Sequence, residues 1–283
     1  MKTKIFYPLT DDICFKYIFG RNDILKDFLN SFFEYIGEKK KVKKVEITTQ
    51  KEMIGSRRKN KVFYGDILAY LDTDEIVSVE IYNRFNENEY KKSVSYLTRI
   101  YSDQLETGED YLQAKKVISL NLMEGNYHLN NFQLVNDYGF VNKLNYGKIK
   151  DECLELYLIR LDLVKEDVYN YKEIRFIRWL KLIKAGDLEE MKKIAEGDEN
   201  MEKVLKFMKR FVNDEEVLNL YDKINDVKYY AKEEGKEAGR AEGLATGKKE
   251  EKMETAKNML ADNIDISKIM KYTGLSKEEI EAL

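Results

Sequence analysis

Histidine is almost absent: His128 is the only one in 283 residues. That removes histidine-rich metal sites, the HExxH arrangement and most routes to a serine or cysteine nucleophile activated by imidazole. Cysteine is nearly as scarce. Cys14 and Cys153 stand alone without CxxC spacing, so neither a zinc site nor a disulfide framework is expected, and a reducing compartment fits. No uninterrupted apolar run reaches membrane length, and the opening MKTKIFYPLTDD lacks the apolar core of a signal peptide. The chain is accordingly read as soluble and cytoplasmic, with no membrane partner. Any chemistry must rest on carboxylates and lysines, with or without a cofactor.

What is present is 43% hydrophobic content, enough for one domain with a sizeable core and a smaller helical one. The most informative stretch is KVFYGDILAYLDTDEIVSVEIYN, Lys61 to Asn83. It reads as two strands, Val62 to Leu71 and Ile76 to Tyr82, around the acidic turn Asp72-Thr73-Asp74. Each strand carries one acid at a position where an apolar residue is expected, Asp66 and Glu80. Side chains alternate along a strand, so the two acids share a face only if paired positions sum to an even number. Pairing 66 with 80 leaves a three-residue turn, a common hairpin loop. Directly opposite carboxylates have Cβ atoms ~5 Å apart, close enough to grip one hard cation such as Mg²⁺ with several waters. The other reading of the same residues is an ion pair with a nearby Lys or Arg, or plain solvent exposure.

The net charge of -3 hides an uneven distribution. Lys39, Lys40, Lys41, Lys43, Lys44, Lys51, Arg57, Arg58, Lys59 and Lys61 face only Glu38, Glu46 and Glu52, and this basic segment runs into the strand bearing Asp66. A polyanion held there would have its phosphates delivered toward the carboxylates, whereas the plain alternative is a solvated basic loop.

Along the rest of the chain, Thr10 can cap a helix over Asp11 to Phe19 that stops at Gly20, and Asn22 can cap a stronger one over Asp23 to Ile36 that ends at Gly37. Val42 to Thr49 alternates as a strand. A helix from about Glu87 to Glu106 should turn Tyr90, Val94, Leu97, Tyr101 and Leu105 inward, and KVISLNLM, Lys116 to Met123, reads as a buried strand. Strand, long helix, strand is a crossover unit, so Lys116 to Met123 is expected to lie parallel to a neighbour. Further strands are expected at Asn131 to Val135 and Cys153 to Asp162. From about Tyr171 the pattern is helical, with Trp179 as anchor.

The succession PLTDDICFKYIFG, DFLNSFF, YGDILAYL, VSVEIYN, YLTRIYSDQL, GEDY and KKVISLNL resembles the family of recombination-promoting nucleases and transposases built on a PD-(D/E)XK nuclease core. The resemblance is detailed from about Pro8 to Met123 and looser beyond. It implies an α/β, restriction-endonuclease-like mixed sheet flanked by helices and followed by a C-terminal helical region. It further implies a metal-dependent DNA endonuclease of recombination or transposition, with Asp66 and Glu80 as catalytic, metal-binding acids for Mg²⁺ or Mn²⁺. One position departs from the pattern. The signature sets a lysine two residues after the second acid and this family usually a glutamine, but here Tyr82 stands at that catalytic position, on the face of Glu80 and uncharged at pH 7. Lys61, Lys91 or Lys92 are alternative sources of the charge. Otherwise hydrolysis is weakened or lost, and the chain is a DNA-binding or protein-interaction relative. Asp12 and Lys16 lie in the family's early D-x-x-F-K pattern and are expected near the site, as is Lys61. Arg57, Arg58, Lys59 and Arg99 are expected phosphate contacts; for Arg99 a surface salt bridge is the plain alternative.

Three regions are expected: a nuclease-like domain over 1–165, a helical subdomain over 166–230, and a glycine-punctuated helical linker with a small helical hairpin over 231–283. Gly235, Gly239, Gly243 and Gly247 recur every four residues, each costing ~1 kcal/mol of helix stability, which suggests close backbone approach or a semi-flexible connector. From Asp265 two short helices are split by Thr273-Gly274, with Ser276 and Glu279 as a capping box. That pair reads first as a protein-interaction hairpin and second as half of a helix-turn-helix. The C-terminal helices are the expected surface for a homo-oligomer.

Overall fold

The computed structural model describes residues 6–48, 66–125, 133–145, 147, 152–164 and 174–283. The first helix, α1 (Asp12–Phe19), is capped by Asp11 rather than Thr10: the Asp11 carboxylate accepts from the amides of Ile13 and Cys14 at 3.0 and 3.1 Å. A charged acceptor suits the positive end of a helix better than a hydroxyl. In α2 (Asn22–Tyr35) the expected cap Asn22 is already helical, Arg21 takes the cap position without a side-chain bond, and Gly37 at φ +81 reverses the chain just past the end.

The strands follow as β1 (Val45–Thr48), β2 (Ile67–Leu71) and β3 (Glu75–Tyr82). Residues 62–65 of the expected second strand lie outside the described residues. β2 and β3 pair antiparallel with Ile67 opposite Val79 and Tyr70 opposite Ile76. This leaves Asp72, Thr73 and Asp74 as the turn, closed by Asp74 at φ +66, a left-handed position that aspartate tolerates. α3 (Glu87–Ser102) then crosses over to β4 (Lys116–Met123), which lies parallel to β3 with Glu80 beside Asn121. The helix ends four residues short of Glu106, and Tyr90 on it is exposed rather than inward. β5 (Val135–Tyr138) starts at the end of the expected 131–135 strand, and β6 (Leu154–Arg160) falls within the expected 153–162. Among the described residues these strands form one mixed sheet in the order β1-β2-β3-β4-β6-β5.

Alternation along β3 and β4 divides the core between the two faces of the sheet. Val117, Met123, Ile76 and Tyr82 pack with Leu97 and Phe85 on the α3 side. On the helical side, Phe19, Phe28, Phe32, Phe176 and Trp179 form an aromatic cluster with ring centroids 5.5 to 6.2 Å apart. It is built from α1, α2 and α4 (Arg175–Lys184), and Trp179 is the buried anchor expected of it. α5 (Leu188–Ala195) and α6 (Glu199–Phe211) complete this side, α6 resting on α1 and α2.

The chain divides into two compact units, Met1–Glu215 and Glu216–Leu283. α7 (Glu215–Ala261) is one continuous helix through the glycine repeat. At Gly243 and Gly247 an added methyl would meet open space, so no backbone approaches closely there. Its end joins α8 (Ile266–Thr273) and α9 (Lys277–Glu281) around Ala256, Ile269, Leu275 and Ile280. Gly274 at φ +70 ends α8, and the capping box of Ser276 and Glu279 opens α9. No helix among the described residues is long and apolar enough to cross a membrane.

Candidate functional site

Continuing the β2–β3 register by one residue sets Asp66 across from Glu80, on the α3 side of the sheet. Each carboxylate reaches the other strand's backbone: the Asp66 amide donates to Glu80 Oε1 at 2.9 Å, and the Ile81 amide donates to Asp66 Oδ2 at 2.8 Å. Glu80 is 1% exposed. Lys16 reaches in from α1, its Nζ 3.1 Å from Asp66 Oδ1 and 2.7 Å from Asp12 Oδ1. The early D-x-x-F-K pattern therefore delivers both of its polar residues to the acid pair, since positions i and i+4 share a helix face. The ion-pair reading is realised for Asp66, while Glu80 holds only a backbone amide and, among the described residues, makes no salt bridge.

The electrostatics follow from that shortage of cations. Burial, with the charge on Asp66 adding to it, pushes the Glu80 carboxyl up to about 8. Burial also raises Asp66, to about 6, against the pull of Lys16. Although burial alone would lower it, the Asp66 and Asp12 carboxylates hold the Lys16 ammonium above its ordinary value.

Tyr82 follows Glu80 on the same face, but its hydroxyl is 3.1 Å from Ser93 Oγ of α3, and that hydroxyl donates to Asn121 Oδ1 at 2.8 Å. Burial, then the charge on Glu80, raises the Tyr82 phenol, so it is no proton acceptor at neutral pH. The Lys92 ammonium lies 5.2 Å from the centre of the Tyr82 ring and 5.0 Å from that of Tyr96, and its charge is felt at Glu80. Of the lysines weighed as substitutes, Lys92 comes to the site, Lys91 pairs with Glu87 at the start of α3, and Lys61 lies outside the described residues. Arg57, Arg58 and Lys59 likewise lie outside them. Arg99 donates to Asp103 at 3.1 Å, six residues beyond Ser93 and thus ~9 Å farther along the helix axis. Sequence reasoning missed Ser93 and Asn121. The signal for Asn121 was there, a lone amide inside the apolar run of β4.

The donor set fits a hard divalent cation. Asp12 and Asp66 share the Lys16 ammonium, Glu80 lies across the hairpin from Asp66, and the ligands on offer are oxygens only. No group of three or more His, Cys, Asp or Glu side chains converges as a ready-made cage among the described residues. Mg²⁺ does not require one, because it is commonly held by one or two carboxylates and keeps several waters.

A family model described as PD-(D/E)XK nuclease family transposase matches residues 9–237, and one described as Rpn/YhgA-like nuclease family, C-terminal HTH domain, matches residues 249–283. No curated protein and no solved structure matches the chain. The second match reverses the order of preference for the last two helices: with the end of α7 they correspond to a helix-turn-helix domain, ranked second from sequence. The first covers most of the chain and carries the mixed sheet, the crossover and the acid pair described above: the chain belongs to the PD-(D/E)XK nuclease family transposases.

Proposed function

We propose that this nuclease-family chain is a Mg²⁺- or Mn²⁺-dependent DNA endonuclease acting in recombination or transposition, with Asp66 and Glu80 as its metal-binding acids. The observation that carries this is Glu80: a carboxylate 1% exposed, beside a second acid, with one backbone amide as its hydrogen-bond donor. Such an arrangement is costly in a purely structural role. A divalent ion bound there would orient and acidify a water for in-line attack and draw off charge growing on the non-bridging phosphate oxygens. The chain's own groups supply the rest. The Ile81 amide fixes the Asp66 carboxylate, and the Asp66 amide fixes that of Glu80, so both are aimed before substrate arrives. Lys16, with a third of its side chain exposed, presents an ammonium at the rim of the pair, where it can neutralise a phosphate oxygen. Lys92 approaches from the α3 side and takes up the positive role that Tyr82 cannot fill. The helix-turn-helix unit is a second route to DNA.

Nicking of supercoiled plasmid with Mg²⁺ or Mn²⁺ tests this directly. The natural chain should cut, and Asp66→Ala should lose at least ~10²-fold in rate. One observation favours a second reading: Tyr82 is tied to Ser93 where the signature has lysine. Salt-sensitive DNA binding by the natural chain with no nicking under either metal would establish that catalytically impaired relative instead.

A further inference from the structure

α5 and α6 enclose a shallow, open groove of about 420 Å³ remote in sequence from the acid pair. Lys192 and Lys193 from the last turn of α5, and Lys206 and Lys209 from the second half of α6, face two acids, Glu196 and Glu202. The acids are partly spent. Glu202 accepts from the Gly197 amide at 3.1 Å, stabilising the turn that joins the helices. Lys192 is spoken for as well, by Glu189. Among the described residues, Lys193, Lys206 and Lys209 have no acidic partner within ion-pair distance. Other basic groups of this helical side do: Lys203 of α6 with Asp23 and Glu199, and, on α4, Arg175 with Asp27 and Asp198 and Lys184 with Glu124. The three lysines therefore form a positive surface that the fold itself does not consume.

The groove is also fixed relative to α1. Glu202, Lys206 and Lys209 form one stripe of α6, and the opposite stripe, Met201, Val204, Met208 and Phe211, is buried. Met208 Sδ is 3.4 Å from Cys14 Sγ of α1, and the Phe211 ring meets Tyr7 and Tyr17 at 5.3 and 5.1 Å. α1 is the helix that carries Asp12 and Lys16 to the acid pair. A ligand long enough to touch both would meet two positions held by adjoining elements of one unit.

We propose that this groove is a second, sequence-independent contact for the phosphodiester backbone of duplex DNA. Three ammonium groups lining one groove match a polyanion with closely spaced charges, and phosphate contacts of this kind position a duplex without reading bases. The choice of DNA as the polyanion rests on the nuclease reading above; the positive groove does not.

The test is fluorescence anisotropy with a labelled 30-bp duplex in EDTA over a series of salt concentrations. It compares the natural full chain with the triple variant Lys193→Glu/Lys206→Glu/Lys209→Glu and with its charge-neutral Gln counterpart. All three lysines are exposed, and unchanged melting by circular dichroism certifies the fold. The Glu variant should bind ~10-fold or more weakly, with a salt slope shallower by about 2 to 3, and the Gln variant should fall between. Affinity and slope equal to those of the natural chain would overturn the proposal. So would intact DNA binding accompanied by lost binding of an acidic polyglutamate peptide, which would assign the groove to a protein partner. Because EDTA removes cleavage from the readout, a catalytically silent acid pair leaves this result standing.

Discussion

Two clusters in the first unit gather carboxylates around a basic side chain, and they balance the charge differently. Asp27 and Asp198 share Arg175. Its guanidinium reaches Asp27 at 2.7 Å and bonds Asp198 as well, Trp179 Nε1 adds a bond to Asp27 at 2.9 Å, and the amides of Asn200 and Met201 add two to Asp198 at 3.1 Å. Burial works against the Asp198 charge, yet the Met201 amide and the Arg175 guanidinium hold its carboxyl below the usual range. Asp66 and Asp12 share Lys16, and Glu80 beside them makes no salt bridge among the described residues. One ammonium and two backbone amides are too few donors, and the carboxyls of Asp66 and Glu80 are pushed up. The first cluster is a completed network that caps α6 and ties α4 to α2. The second is a completed geometry with an incomplete charge balance, which the proposed metal ion would make up.

Three experiments bear on that contrast. The largest expected effect of a substitution on stability is at the finished cluster: Asp198→Ala removes a helix cap and one of the two carboxylates that hold Arg175, and should cost ~2 kcal/mol in urea unfolding. Asp66→Ala should cost little or nothing there, and an equal loss in both variants would erase the distinction.

Next is pH. A carboxyl whose folded-state pKa is raised binds its proton more tightly in the folded than in the unfolded chain, so stability falls as pH rises from the unfolded value through the folded one. For Glu80 that window runs from 4.5 to about 8, and for Asp66 from 3.8 to about 6. Metal-free protein should therefore melt roughly 10 °C lower at pH 8 than at pH 5. Glu80→Gln should flatten the profile, and Mg²⁺ should raise the melting point of the natural chain at pH 8 but not that of the variant. A Mg²⁺ response that survives in Glu80→Gln would remove Glu80 from the metal site.

The smallest effect is at Tyr82. Tyr82→Phe deletes the hydroxyl facing Ser93, whose own bond to Asn121 remains, and should cost ~1 kcal/mol while leaving plasmid nicking unchanged. A large loss of cleavage would make the hydroxyl a participant rather than a support.

The hairpin shows how much could be read in advance. Its register follows from a three-residue turn and from strand parity, both local properties of the chain, so the juxtaposition of Asp66 and Glu80 was already legible. The same is true of the crossover to β4, the Trp179 anchor and the capping box of Ser276 with Glu279. The cap on α1 was misplaced by one residue because Thr10 and Asp11 are both competent, and only the geometry of the turn chooses between them.

The sequence alone determined that two acids face each other across a hairpin, because alternation along a strand and turn length are short-range constraints. Only the tertiary structure decided which cation answers them. Lys16 and Lys92 come from helices 50 residues before Asp66 and 12 residues after Glu80, and their arrival depends on how α1 and α3 pack on the sheet. Lys193, Lys206 and Lys209 of the α5–α6 groove likewise gain significance only from packing, since among the described residues they have no acidic partner while neighbouring basic groups do.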